Sequence, residues 1–119
     1  MRKFIVEFGL GADFHGQDVT NAAKKAVKDA ISRSCLCGLE EVAGIRDLEK
    51  QVFIKATVSV SRPEAVDAAA VAAALPVGTA EVFVVKGGLT VDGLNIPALG
   101  DNGKSIEAAI AAVEVYIAD

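Results

Sequence analysis

The chain has 119 residues, 52% of them hydrophobic, and a formal net charge of −4, which fits one domain with a single unstapled core. The acidic balance argues against nucleic acid, because phosphate binding needs an excess of Lys and Arg on one face. Five Phe, one Tyr and no Trp leave little to build stacking platforms for single strands.

No apolar run reaches the length of a transmembrane helix, and the first residues read as a strand rather than a signal peptide. A soluble, cytoplasmic protein with no membrane partner is expected. Cys35 and Cys37 stand one residue apart, too close for an ordinary disulfide. That favours a reducing compartment. No cofactor is called for by any motif, and the cysteine spacing lacks the usual zinc form.

In chain order, residues 3–9 are β-branched and aromatic and end on a glycine, as a strand does. Alternation places Phe4, Val6 and Phe8 on one face and Lys3, Ile5 and Glu7 on the other. A glycine-rich turn over 9–17 follows, with Asp18 as an N-cap. A helix over 19–34 is predicted from the stripe Val19, Ala22, Ala23, Ala26, Val27, Ala30 and Ile31. Residues 41–46 suggest a short strand. Residues 52–60 form a longer one, with Val52, Ile54, Ala56, Val58 and Val60 on the face that helices would cover.

Ser61 with Glu64 three residues on fits a capping box, and Pro63 is tolerated in a first turn. A helix over 61–74 is therefore expected, stopped at Leu75-Pro76. Residues 79–86 read as a strand, interrupted at Gly87-Gly88 and resumed over 89–91 after a bulge. After a loop, Asp101-Asn102 would cap a last helix over 104–117 with the stripe Ile106, Ala109, Ile110, Val113 and Ile117. The order β-α-β-β-α-β-(β)-α predicts an α/β two-layer sandwich. About four strands would form a mixed or antiparallel sheet with helices on one face. The other face would carry Phe53, Lys55, Thr57, Ser59, Glu7 and Phe83 or Val85. So apolar an open face invites a second copy of the chain in a closed assembly.

Three constellations carry chemistry. In Gly9-x-Gly11-x-Asp13-x-His15-Gly16, the glycines Gly9, Gly11 and Gly16 could bring backbone amides to an anion at a helix N-terminus. It is not the dinucleotide fingerprint, since Phe14 stands where the third glycine belongs, nor a P-loop. Asp13 and His15 could act as acid and base or as metal ligands; equally, Asp13 could cap backbone amides beside a solvated His15. Lys55, mid-strand with Thr57 and Ser59, could serve as a base or anchor a carboxylate, or guard an edge strand. Lys86-Gly87-Gly88 could form an oxyanion nest or a bulge. Glu7 could join Lys55 in a charge cluster.

The run from Gly9 to Thr20 resembles the signature of a small family of uncharacterised bacterial and plant-plastid proteins with a G-x-G-x-D-x-H-G motif. Pro63, Leu75-Pro76-x-Gly78 and Gly87-Gly88-Leu89 fit the same pattern. A second resemblance is to one repeat of the ring-opening amidohydrolases, cyanuric acid hydrolase and barbiturase. In those enzymes repeats pack around a pseudo-threefold axis, each supplying a serine and a lysine. Lys55 resembles the lysine, but Lys86 stands where the serine would be, which removes the nucleophile. That resemblance implies a homotrimer with a small-molecule site at subunit boundaries. Lys55, Lys86 and Glu7 would line it, with Asp13 and His15 on the turn, and a cyclic amide or small carboxylate would be the ligand. The alternative is a non-enzymatic oligomeric binding or scaffold protein.

Overall fold

In the computed structural model, which describes residues 1–119, the elements that reach farthest in space are two strands. β1 spans Arg2–Asp13 and β5 spans Ser105–Ile117. Between them lie α1 (Val19–Ile31), α2 (Gly38–Glu41), α3 (Leu48–Gln51), β2 (Val52–Val60), α4 (Ala68–Ala72), β3 (Thr79–Lys86) and β4 (Leu89–Asp92). The sheet order is β1-β5-β2-β3, with β4 also paired to β5. Only β2 and β3 are parallel; β5 runs antiparallel to β1, β2 and β4. The fold is thus mixed α/β with a five-stranded open sheet and one long helix.

The segment expected to be the last helix is the central strand. Residues 105–117 satisfy both periods: a helical stripe can be drawn, but Glu107, Ala109, Ala111, Val113, Val115 and Ile117 also alternate, and these are the buried residues. Strand partners on both sides pair with most of its length, and that context overrides alanine's helical preference.

Other expectations change in smaller ways. The strand expected over 41–46 is instead the end of α2, closed by Gly44 at φ +69° and by Ile45 N–H donating to Leu39 O at 2.8 Å. The helix expected over 61–74 is a 3₁₀ turn (Pro63–Ala65) followed by the five-residue α4. Its cap is Asp67, which accepts from Ala70 N–H, because Ser61 Oγ is drawn away to Glu107. A bulge between Lys3 and Ile5 turns Phe4 out of the Val6–Phe8 face, and both Phe4 and Ile5 pack against the core.

β1 does not stop at Gly9. It continues through Gly11 to Asp13, so these two glycines lie within a strand. α1 crosses directly above them. A Cβ on Gly9 would sit 2.1 Å from Ala26 O, and one on Gly11 would sit 2.3 Å from Ala26 N. Their neighbours in register on β5 are Ala111 and Ala109. Facing them from α1 are Ala22, Ala23, Ala26 and Ala30, all buried. Small residues on both surfaces let the helix backbone lie almost on the sheet, and Val19 and Val27 fill the flanks. Asp18 caps the helix by accepting from Asn21 N–H at 3.0 Å.

The sheet's other face is uncovered. One row across it reads Phe8, Ala112, Thr57, Phe83, and the next reads Leu10, Ile110, Ser59, Val85. Phe8 and Leu10 are 64% and 61% exposed. Glu7, placed on this face from sequence, is paired with buried Val113 and points to the helix side. No helix is long and apolar enough to cross a membrane.

Gly9→Val is expected to destabilise the fold by about 3 kcal/mol or more, because rigid helix backbone leaves no room for the side chain. Gly103→Ala, with open space around it, should stay within about 0.5 kcal/mol of wild type. Urea denaturation of the two variants checks both expectations.

Candidate functional site

Two loops meet at the far end of β1 and are locked by two buried aspartates. Asp13, the last residue of β1, spends both carboxylate oxygens within its own loop. Oδ2 accepts from Asp18 N–H at 2.8 Å, and Oδ1 accepts from the Asn21 side chain at 2.7 Å. Asp13 therefore shapes the strand-to-helix turn, with one hydrogen bond on each carboxylate oxygen.

Asp101 is the second aspartate, and its side chain is wholly inaccessible. It follows a 3₁₀ turn (Pro97–Leu99) ended by Gly100 at φ +89°. It accepts from Ile96 N–H (2.9 Å), Gly16 N–H (2.7 Å) and the Gln17 amide (3.0 Å). His15 Nδ1 lies 2.8 Å from its Oδ2. The Ile96 amide and then His15 hold the Asp101 carboxyl well below the usual carboxylate range, against the opposing effect of desolvation. An ionised carboxylate only accepts, so His15 Nδ1 must carry the hydrogen. In the neutral imidazole Nε2 then holds the lone pair; it has no partner in the chain, and it is not buried.

Gln17 ties the loops together from an unusual backbone position, φ +52° in a residue other than glycine. Its amide nitrogen also donates to Ser105 O, and its oxygen accepts from Asn102 N–H. Around this junction lies a polar cleft of about 310 Å³ lined by Gln17, Arg62, Asn102, Ser105 and Glu107, with Gly16 and Gly103. Arg62 donates to Gln17 O. Glu107, 6% exposed, accepts from Ser61, Thr90 and Ser105 hydroxyls. Burial pushes its carboxyl up, but the three hydroxyls together leave it below the ordinary value.

Of the residues singled out from sequence, the structure keeps His15 and Gly16 at this junction. Gly9 and Gly11 serve helix packing. Lys55 lies on the open face in the row Val6, Glu114, Lys55, Glu81, with Nζ 5.2 Å from the Phe83 ring. That row is seven residues along β5 from the Asp13 row, roughly 20 Å at strand spacing. Glu7 and Lys55 are on opposite faces, so their charge cluster does not form. Lys86 ends β3 away from the dyad. Gly87 N–H already donates to Val60 O at 2.8 Å, and Gly88 (φ +67°) swings the chain so that β4 continues the line of β2 beside β5. A free amide nest is thereby lost. Asp13 and His15 bond different partners, and no group of three or more His, Cys, Asp or Glu side chains is arranged to hold a metal ion.

Asp101, Gln17 and Arg62 escaped the sequence reading. Asp101 reads as a cap for a helix that does not form, and its partners His15 and Gly16 lie 86 and 85 residues away. Chemically, the arrangement offers an oriented imidazole with a free nitrogen, a group suited to proton transfer; His15 itself does not line the polar cleft, which begins at the next residue, Gly16. Ser105, the only hydroxyl residue lining the cleft, already donates to Glu107.

Residues 3–115 match the family described as "Conserved hypothetical protein (Lin0512_fam)". No curated protein matches the chain. Among solved structures, the chain is similar to an FtsZ-like protein of unknown function from Nostoc punctiforme PCC 73102. The two are 41% identical with a TM-score of 0.89, covering 99% of this chain and 97% of that one. Neither finding carries the resemblance to ring-opening amidohydrolases.

Asp101 should make the fold acid-sensitive. Its folded carboxyl binds a proton at lower pH than the unfolded one, so between those two values the unfolded chain holds more protons and stability rises with pH. The contribution is complete above the unfolded value near pH 4 and is lost as pH falls below it. Asp101→Asn is expected to be less stable at pH 7 and to lose less on acidification from pH 5 to 2. Urea midpoints across that range measure the slope.

Proposed function

We propose that this chain, which belongs to the Lin0512 family of conserved hypothetical proteins, binds a small polar molecule at the loop junction and uses His15 as a general acid/base on it. The observation that carries the reading is the bond from His15 Nδ1 to the buried Asp101 carboxylate. Three N–H donors fix that carboxylate, which in turn fixes the imidazole tautomer and ring. A fixed imidazole with a free Nε2 can take a proton from water or give one to a leaving nitrogen or oxygen. A cleft without apolar lining, holding Arg62, favours a small carboxylate or a cyclic amide over an apolar substrate.

A second observation supports self-assembly as part of the same reading. The uncovered sheet face presents Phe8, Leu10, Ile110 and Phe83 together, with Lys55 between Glu114 and Glu81 in the adjoining row. A closed homo-oligomer, a trimer by the resemblance to the three-repeat enzymes, buries this face and brings several copies of the junction around one axis. Lys55 then belongs to the contact between copies, and His15 to the site. If the residues serve only to hold subunits together, the protein is a scaffold, and His15 has no ligand to act on.

Two tests follow. A panel of small carboxylates and cyclic amides, including cyanuric and barbituric acids, is titrated and assayed for ring opening. His15→Ala should lower turnover of any responsive compound by about 10² or more, and Arg62→Ala should weaken its binding. If no member of the panel binds, or if both variants match wild type, the site reading fails. Light scattering of wild type and Ile110→Glu addresses assembly: a trimer that falls to monomer is expected, and a wild-type monomer contradicts it.

A further inference from the structure

α1 is 13 residues long, about 20 Å at helical rise, whereas β5 has 13 residues at about 3.3 Å each, roughly 43 Å. The helix therefore covers only half the length of the sheet. Its stretch from Ala22 to Ala30 lies on the glycines, and beyond its C-terminus the sheet is roofed by the segment over 32–51, with the short α2 and α3, and the loop over 75–77. The roof does not close. Between it and the sheet is a cavity of about 580 Å³, within the range that holds small organic ligands. It lies at the opposite end of α1 from His15.

The cavity has an apolar floor and a charged lip. Ile54, Val113 and Val115 form the floor from β2 and β5, and Ile31, Leu39 and Ile45 stand around it. The charged residues lining it are Glu7, Glu40, Glu41 and Arg46, so three carboxylates meet one guanidinium. None of the four makes an ion pair within the chain. Glu7 is the one that rises from the sheet itself, in register with Val113 of the floor. It is half-buried, and its protein partner is the Ser34 hydroxyl rather than a cation. A half-buried carboxylate beside apolar surface, with no cation of its own, complements a cation attached to an apolar body.

We propose that this cavity binds an amphipathic amine, an aromatic or alkyl body on the Ile54–Val113–Val115 floor with its ammonium on Glu7. Neutral molecules of the same shape gain the burial without the charge, and carboxylates meet repulsion from the acidic lip.

The probe is 2-(naphthalen-2-yl)ethylamine, titrated by calorimetry against the intact chain, with 2-naphthaleneethanol and 2-naphthylacetate as matched controls. The amine should bind at one site per chain, at least tenfold more tightly than the alcohol, with the acetate weaker still. Glu7→Gln should cost at least tenfold in amine affinity and leave the alcohol unchanged. Cys35 and Cys37 line the same cavity and are exposed free thiols, so saturating amine should slow their alkylation by iodoacetamide severalfold. Absence of saturable amine binding overturns the proposal. So does equal affinity for the acetate, or alkylation unaffected by bound amine. If Glu7→Gln fails to fold by circular dichroism, the three-ligand comparison on wild type decides the matter alone.

Discussion

The approach of α1 to β1 through Gly9 and Gly11 is the constraint on which the rest of the molecule depends. With side chains excluded from those positions by 2.1 and 2.3 Å contacts to the helix backbone, the helix lies against the sheet with only alanines between. That contact sets where α1 begins. The start of α1 sets the length and path of the 14–18 loop. Asp13, two residues past Gly11, closes the loop by holding Asp18 N–H and Asn21. A glycine-rich strand end that looks like a ligand cradle is, at its first two glycines, a packing device. Its chemistry is displaced to the residues that follow.

The same economy explains the two faces of the sheet. One long helix and several short pieces of helix cover one side incompletely, and nothing covers the other. The principal extents of 51 × 24 × 20 Å fit this arrangement, because the thinnest direction holds little more than one sheet and one helix layer. Every apolar residue on the far side therefore remains at the surface of the single chain.

How far the residues announce this structure depends on how local their partners are. α1 was legible, because its stripe and its Asp18 cap are contained within one stretch. β2 was legible, because Val52, Ile54, Ala56, Val58 and Val60 admit only one period. β5 was not: its alanines satisfy both periods, and what decides between them is two neighbouring strands remote in sequence. The site divides the same way. His15 stands out as the single histidine in the chain, but Asp101 and Gln17 gain their meaning from contacts across some 85 residues. Lys55 and Glu7 looked like partners because strand faces were assigned without a common register; the register places them back to back.

The central claim is that buried Asp101 holds His15 in one tautomer with Nε2 free. Because the chain has a single histidine, long-range ¹H–¹⁵N correlation of labelled protein at neutral pH reads that tautomer directly. The account predicts a resolved Nδ1–H proton, slow to exchange, and a type of Nε2 shift that marks an unprotonated nitrogen. An Nε2–H tautomer, or averaged nitrogen shifts like those of a free imidazole, would contradict it.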